Sequence, residues 1–426
     1  MLPRHYPPLA LLLTGFGWLV LSSILGLAIL VGLVRGTPLP PWVRSVHVHA
    51  ALVGGVPQMI LGGFLAFLPS RPVSGRNRPD SHPILFLTIN AGTIGMLVGF
   101  WLLQHRVVGA AGLLVACAFL WTAREAWMRA RQGGPSAPSN LWYYALALVA
   151  LFVGLGCGEM MALALVQQSY GYVRLAHIHL ILLGFITLTI VVVIHTLLPE
   201  ALRAPASDPQ QSRLALVLMV LGVAILIGGF MNSLVPVEMA AGAVLFAGGT
   251  LYAGDLFRAW MSSTHRGSAA SDHMLIGTFF LLLTIVVGVL VGINSLSNPP
   301  VMPYGTLHLV AYTHLAFVGF VLQTIMGALS HVIPVALAAS RVPNNKKRGP
   351  YLDQLTAIID RWRPVQVGGV SLGTMGLAVL AALTWNVPLS SLYIQVAMWS
   401  SFALLLGSLV FFCSKLAYLF ATQPPQ

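Results

Sequence analysis

Histidine and tyrosine side chains occupy matching positions in three similar stretches of the chain. Each stretch has two ring-bearing positions separated by one residue, and a proline follows at the same distance in each. The stretches run from His47-Val48-His49 to Pro69, from His177-Ile178-His179 to Pro199, and from Tyr312-Thr313-His314 to Pro334. Imidazole is the commonest metal ligand in proteins, and histidine and tyrosine both ligate heme iron. The pattern therefore predicts an internal repeat whose ring-bearing residues could bind heme.

The elements that must position these residues are membrane-spanning helices. The chain is 57% hydrophobic and 8% charged, with a mean hydropathy of +0.86, values typical of proteins that cross the bilayer several times. A spanning helix needs about 20 apolar residues, and twelve stretches satisfy this condition. They lie near residues 9–34, 47–68, 83–103, 107–128, 141–166, 175–198, 213–235, 238–262, 273–294, 306–338, 365–385 and 390–416.

We therefore expect an all-α integral membrane protein of twelve transmembrane helices. Its single transmembrane domain, residues 1–426, should consist of three pseudo-symmetric four-helix repeats near residues 1–135, 136–268 and 269–426. The apolar run in residues 1–34 is too long for a signal-peptide core, so we expect it to remain as a helix. The longest loop, about residues 339–364, is a basic segment between predicted helices 10 and 11.

Lysine and arginine indicate how these helices are oriented. Of the 22 Lys and Arg residues, four fall in odd-numbered loops, namely Arg35, Arg44, Arg106 and Arg174. Because excess positive charge stays on the cytoplasmic side, both termini should be cytoplasmic. We expect the membrane to be a bacterial inner membrane. The net charge of +12 then reflects topology and attraction to anionic membrane lipid, so no nucleic-acid partner is expected.

The cysteines indicate no further metal chemistry. Cys117, Cys157 and Cys413 all fall within predicted helices, and neither CxxC nor CxxCH occurs in the sequence. A thiolate metal site and covalently attached c-type heme are therefore not expected.

Helical geometry separates the histidines into groups. With cytoplasmic termini, predicted helices 2, 6 and 10 run inward, so the motif residues share one layer near the outer face. At about 1.5 Å per residue, His195 and His331 lie roughly 25 Å further inward and cannot join the same site. Successive residues turn by about 100°, so His47 and His49 point to opposite sides of their helix and can serve two different sites.

These stretches resemble the catalytic subunit of heme–copper oxidases and nitric oxide reductases, most closely its cbb-type branch. The likeness rests on RSVHVHAALVGG, HIHLILLGF and YTHLAFVGF, where H-x-H near the outer end of a helix precedes a glycine-rich apolar run and a closing proline. The resemblance implies twelve helices in three groups of four. It also implies heme ligands on helices 2 and 10 and copper ligands on helices 6 and 7.

By this resemblance, His47 and His314 correspond to the two axial ligands of a low-spin heme b. Tyr312 stands where the family has the histidine that holds the high-spin heme, and His177 or His179 matches a copper ligand. The histidine pair of helix 7 is missing, because residues 213–235 contain no histidine. We therefore expect a degenerate oxygen site, with copper absent or substoichiometric.

The repeat suggests further ligand pairs. In the resemblance, the second position of one repeat (His314) pairs with the first position of the next (His47). The same rule pairs His49 with His177, which could hold a second heme, and pairs His179 with Tyr312. Tyr312 could ligate iron or only form a hydrogen bond.

Neighbouring residues bear on these sites. Arg44 and Arg174 precede their motifs by about one helical turn, where they could pair with heme propionates or be ordinary interfacial arginines. A glycine has the same offset in each repeat, and Gln58 matches Gln323. Small residues beside the second pair would leave room for a porphyrin, and they include Ala50, Gly54 and Gly184.

Other polar residues within the predicted helices are less informative. Glu159 and Asn90 are candidates either for a proton path or for interhelical hydrogen bonds. Asp255 and Arg258 have the i,i+3 spacing of a local ion pair.

Electron transfer or the handling of a diatomic gas (O2 or NO) by b-type heme is the function that this pattern favours. Alternatives are a working terminal oxidase or nitric oxide reductase subunit with a rearranged metal site, and a heme membrane protein of nitrosative stress. A secondary transporter also has twelve helices but would show a six-plus-six repeat. If the protein is an enzyme, it is an oxidoreductase. A cytochrome or quinol electron donor and further membrane subunits would be its partners.

Overall fold

The computed structural model describes residues 7–67, 82–132, 141–205, 208–264, 267–296, 306–342, 344–383 and 387–424. Throughout these residues the regular structure is helical, without strands. Twelve of the described helices are long and apolar enough to cross a membrane, which confirms the predicted number. Numbered along the chain, they are α1 (Pro8–Val34), α2 (Pro41–Leu65), α3 (Pro83–Trp101), α4 (His105–Met128), α5 (Trp142–Ala162), α6 (Tyr170–Leu202), α7 (Pro209–Asn232), α8 (Val235–Ser262), α9 (Ala269–Leu296), α10 (Val310–Arg341), α12 (Arg363–Leu383) and α13 (Leu392–Ala421).

Two of these helices begin earlier than the hydropathy of the sequence predicts. The helical region of α2 begins at Pro41 and that of α6 at Tyr170, whereas the apolar runs begin near residues 47 and 175. Proline favours the first helical turn, because its missing N–H is unpaired there in any helix. His47 therefore lies about 9 Å inside its helix rather than at the start of it.

A short helix that the sequence did not predict, α11 (Asn345–Asp360), lies within the basic loop after α10. The Asn344 side chain caps it by accepting the Lys346 backbone N–H at 3.0 Å. Tyr351, Leu355 and Ile359, spaced four residues apart, are buried and give α11 one apolar face. The predicted loop is therefore wrong over these residues. The many Lys and Arg residues of this segment made its amphipathic pattern hard to recognise in the sequence.

The chain divides into two compact units, Met1–Thr189 and Ile190–Gln426, which are described separately. In the first unit, helices adjacent in sequence pack side by side. The Trp18 indole of α1 donates to Asn90 Oδ1 of α3 at 3.2 Å. The buried rings of Phe119 and Phe185 join α4 to α6 edge to face, with centroids 5.3 Å apart.

In the second unit, α7 to α10 also pack in sequence order, and α12 contacts α9, α10 and α13. The Arg341 guanidinium at the end of α10 donates to Tyr351 Oη and to the Phe420 carbonyl, both at 2.8 Å. Tyr351 Oη donates in turn to the Thr422 carbonyl at 2.8 Å. These bonds attach α11 to the ends of α10 and α13.

Candidate functional site

In all three motifs the helix changes its hydrogen-bonding pattern directly after the last histidine. The π-helical segments are Ala50–Gly55 in α2, Leu180–Thr187 in α6 and Leu315–Leu322 in α10. Backbone bonds span five residues there, as from Val56 N–H to the Ala51 carbonyl and from Gln323 N–H to the Val318 carbonyl. Such turns are rare and occur frequently at functional sites. Periodicity cannot reveal them, because the apolar run continues unchanged.

The first histidine of each H-x-H motif is held by the preceding membrane helix. His47 Nδ1 donates to the Ser22 carbonyl of α1 at 2.7 Å, and His177 Nδ1 donates to the Gly154 carbonyl of α5 at 2.7 Å. A carbonyl can only accept, so each Nδ1 carries the hydrogen and each neutral ring has its lone pair on Nε2. This is the tautomer of a histidine that binds metal through Nε2.

The second histidine of each motif is held by its own helix. His49, His179 and His314 donate from Nδ1 to the carbonyls four residues earlier, those of Ser45, Leu175 and Val310, at 2.8, 2.8 and 2.7 Å. These three rings therefore have the same tautomer as the first-position rings. All five motif histidines are oriented through backbone carbonyls, as second-shell acceptors commonly orient metal-bound histidine.

A glycine of the preceding helix faces the first ring of each motif. A Cβ at Gly26 would lie 3.0 Å from His47 Cε1, one at Gly158 would lie 3.2 Å from His177 Cε1, and one at Gly288 would lie 3.1 Å from Tyr312 Cε2. The ring can approach that helix closely because no side chain intervenes. These glycines could not be recognised in the sequence, because each lies at a different number of residues from its motif. Only the packing of the helices shows that they occupy equivalent positions.

Within the first unit, the structure brings His49 and His177 into electrostatic range of each other. The His49 ring also lies 4.4 Å from the Phe100 ring, measured between centroids. The His47 side chain instead contacts α1. The two histidines of α2 therefore contact different helices, as their spacing predicts. His47, His49 and His177 are half-buried and thus retain surface that a ligand could cover.

The remaining predicted pairs join residues of different units. His47 and His314 belong to different units, as do His179 and Tyr312, so these pairings stay predictions from the sequence. Tyr312 and His314 are both half-buried in the second unit.

The two arginines before the H-x-H motifs are exposed. Arg44 lies within electrostatic range of His47. Among the described residues, neither Arg44 nor Arg174 forms an ion pair with a carboxylate. Both guanidinium groups therefore remain available to an anionic group.

Three histidines outside the motifs, which we call the distal histidines, have side-chain partners. His195 Nε2 lies 3.6 Å from Asp255 Oδ2, and His331 Nε2 lies 3.5 Å from Glu200 Oε1. Gln366 Nε2 lies 2.7 Å from His273 Nε2. The predicted ion pair between Arg258 and Asp255 is also present, at 3.2 Å.

The prediction that Gly54 leaves room for a porphyrin is wrong. A Cβ at Gly54 would lie 2.7 Å from the Trp18 ring and 2.8 Å from Thr93 Cγ2, so these side chains already fill the space. Ala50 is fully buried. Asn90 forms an interhelical bond with Trp18, whereas Glu159 packs its carboxylate against Gly109 and Gly112 of α4.

A metal centre held by protein ligands alone is not evident in the described part of the chain. No group of three or more His, Cys, Asp or Glu residues there could hold a metal ion. Heme requires only one or two axial ligands from the protein, because the porphyrin supplies the other four. The neutral, Nδ1-protonated imidazoles of the motifs fit this requirement.

The fold and composition define an all-α, multi-pass membrane protein. No family model matches the sequence. Over 149 residues the chain is 30% identical to an "Uncharacterized protein" of Aquifex aeolicus (strain VF5). The match covers 34% of this chain and 38% of that protein. The likeness therefore spans well under half of either protein and carries no function.

Proposed function

We propose that this chain is a heme-binding membrane protein that acts in electron transfer or in the handling of a diatomic gas. The observation that carries the proposal is the common orientation of the motif histidines. All five donate from Nδ1 to a backbone carbonyl, which leaves Nε2 as the ligating atom. Bound heme would supply reversible one-electron chemistry or a position for O2 or NO.

Within the first unit, His49 and His177 are the residues that would hold a heme. They belong to α2 and α6, lie within electrostatic range of each other and present the same tautomer. Arg174, exposed one turn before His177, would pair with a propionate. By the resemblance, His47 and His314 would hold the low-spin heme b, with Arg44 beside His47 as its propionate partner.

The finer architecture belongs to the same proposal: three four-helix repeats with equivalent motifs. Two observations support it. A π-helical segment follows each motif, and a glycine of the preceding helix faces each first ring, whether that ring is His47, His177 or Tyr312. General rules of helix packing predict neither feature, because each feature recurs at the same place relative to the motif.

The distribution of Lys and Arg supports cytoplasmic termini. The membrane of this proposal is a bacterial inner membrane. Copper is expected to be absent or substoichiometric, since α7 (Pro209–Asn232) contains no histidine and imidazole-bound copper requires several converging ligands. A cytochrome or quinol would supply electrons, and the oxidoreductase alternatives require a gas-binding site beside Tyr312.

The test is a reduced-minus-oxidised absorption spectrum of the purified full-length protein, with a pyridine hemochrome assay and elemental analysis. A b-type spectrum with at least one heme per chain is expected. Protein that is purified from heme-replete cells and contains no heme would overturn the proposal. One tightly held copper per chain would favour the working oxidase or nitric oxide reductase instead.

A further inference from the structure

Ser22 of α1 and His47 of α2 exchange hydrogen bonds in both directions. His47 Nδ1 donates to the Ser22 carbonyl at 2.7 Å, and the Ser22 hydroxyl donates to the His47 carbonyl at 2.9 Å. The hydroxyl oxygen also lies 3.1 Å from His47 Nδ1. Ser22 is buried. The side chain and the backbone of one serine therefore hold the backbone and the side chain of one histidine.

The Ser22 hydroxyl bonds in a direction that is unusual for a serine within a helix. Such hydroxyls commonly donate to the carbonyl four residues earlier in their own helix. The neighbouring Ser23 does so, and its hydroxyl donates to the Leu19 carbonyl at 2.9 Å. The Ser22 hydroxyl instead donates to α2. Since a bond within α1 would satisfy a serine hydroxyl equally well, the bond across the helices reflects the position of His47.

Ser22 and Gly26 together form the surface of α1 that contacts the His47 ring. Residues four apart lie on one face of a helix. A Cβ at Gly26 would lie 3.0 Å from His47 Cε1 and 3.5 Å from Nδ1, so any larger residue would push the ring away from the Ser22 carbonyl. The glycine allows the ring to approach α1, and Ser22 supplies the polar atoms that it meets there.

The second motif has the same arrangement without the hydroxyl. The Gly154 carbonyl of α5 accepts from His177 Nδ1 at 2.7 Å, and Gly158, four residues later, faces the ring. A Cβ at Gly154 would lie 2.9 Å from Ile181 Cδ1, so a side chain of α6 already fills the space that a serine would need. The hydroxyl therefore distinguishes the surroundings of His47 from those of His177.

The bond from the hydroxyl also reaches α2 next to its change of backbone pattern. The His47 carbonyl accepts from the Ala50 N–H, and Ala50 is the first residue of the π-helical segment Ala50–Gly55. A carbonyl oxygen has two lone pairs, and the Ser22 hydroxyl provides a second donor from α1. The peptide group of His47 is thus fixed both from within α2 and from the neighbouring helix.

We propose that Ser22 is a positioning residue whose hydroxyl fixes the plane of the His47 ring and makes Nε2 a stronger ligand for heme iron. This inference rests on the proposed function. An acceptor at Nδ1 orients a ligating imidazole and raises its basicity. The Ser22 carbonyl is that acceptor, and the hydroxyl oxygen is a second acceptor for the same N–H, as in other three-centre hydrogen bonds.

The hydroxyl should therefore lower the reduction potential of an iron bound at His47. A more basic imidazole stabilises the ferric state relative to the ferrous state. Loss of the hydroxyl removes one of the two acceptors at Nδ1 and the bond that holds the His47 carbonyl. It should raise the potential and weaken the binding of heme, and His177, which has only a carbonyl acceptor, should be unaffected.

The first test compares Ser22→Ala with Ser23→Ala in the purified full-length protein. Ser22→Ala removes a single oxygen atom, and Ser23→Ala is the matched control because its hydroxyl bonds within α1. For the heme whose signal disappears in His47→Ala, Ser22→Ala should raise the midpoint potential and weaken binding about tenfold, the lower end of the usual effect of such partners. Ser23→Ala should match the wild type. Unchanged values in Ser22→Ala, or equal changes in both variants, would overturn the proposal.

The second test uses heme-free protein. Solid-state ¹⁵N NMR should show one sharp Nδ1 resonance for His47 in the wild type, assigned by its loss in His47→Asn, and a broadened or split resonance in Ser22→Ala. An unchanged resonance would show that the hydroxyl does not fix the ring. Wild-type protein that binds no heme would overturn the proposed function, whereas this comparison would still decide whether Ser22 holds His47. The two failures are therefore distinguishable.

Discussion

The motif histidines and the distal histidines differ in the kind of group that lies against the imidazole. The five motif histidines donate from Nδ1 to backbone carbonyls at 2.7–2.8 Å. In the distal histidines, Nε2 instead faces a side chain of Asp255, Gln366 or Glu200. A backbone acceptor orients an imidazole while leaving Nε2 for a ligand. A side-chain partner at Nε2 uses the atom that would bind iron.

The group that lies against the imidazole therefore distinguishes the motif histidines from the distal histidines better than burial does. His179 is buried, as are His195 and His273, while His47 and His49 are half-buried. Burial alone would place His179 with the distal group. Its bond to the Leu175 carbonyl places it with the motif group. The predictions below test this division.

The largest expected effect is the loss of the low-spin spectrum. His47→Ala and His314→Ala each remove one axial ligand assigned by the resemblance, so either change should abolish the low-spin absorption of the reduced protein. Absorption spectroscopy of the purified variants measures this. The distal variants His195→Gln and His331→Gln are controls that should keep the spectrum. Full intensity in both motif variants would show that the assignment is wrong.

Half of the bound heme should depend on the pair in the first unit. If His49 and His177 hold a second heme, the wild-type protein contains two hemes per chain, and His49→Ala or His177→Ala contains one. Pyridine hemochrome analysis against protein concentration measures the ratio. A wild-type ratio of one would eliminate the second site, which the packing of Trp18 and Thr93 against Gly54 already restricts.

Much of this arrangement could be predicted from the sequence, because helix number and histidine separation follow from hydropathy and from helical geometry. The i,i+2 spacing correctly sends His47 and His49 to different neighbours. The tautomers could not be predicted, since they depend on acceptors such as the Ser22 carbonyl of another helix. Helix α11 and the filled space at Gly54 were missed for related reasons. Charged residues between the apolar positions of α11 made its apolar face hard to recognise in the sequence. The position of a glycine in the sequence does not show which neighbouring side chain fills the space where a Cβ would lie.

Removing a side chain that lies against a distal histidine should lower the stability of the protein without changing its heme content. Asp255→Asn removes the carboxylate that faces His195 and pairs with Arg258, and loss of one partner of a buried polar group costs about 1–3 kcal/mol. Thermal denaturation in detergent should show a lower midpoint with the heme content unchanged. Asp353→Asn, an exposed position on α11, is the matched control. Heme loss without a change in the midpoint would indicate that Asp255 belongs to the heme site. It would contradict the separation of motif histidines from distal histidines.

The smallest effect should come from the glycine that faces His177. A Cβ at Gly158 would lie 3.2 Å from His177 Cε1 and 3.4 Å from Nδ1, whereas nothing lies within 4 Å of a Cβ at Gly156, on the same helix. Gly158→Ala should therefore displace the ring slightly and strain its bond to the Gly154 carbonyl, while Gly156→Ala should not. Both changes gain the same helix propensity, about 1 kcal/mol, so the difference between them isolates the contact with the ring. We expect a small shift of the heme absorption bands in Gly158→Ala alone. Identical spectra for the two variants would mean that His177 holds no heme or that its position does not depend on α5.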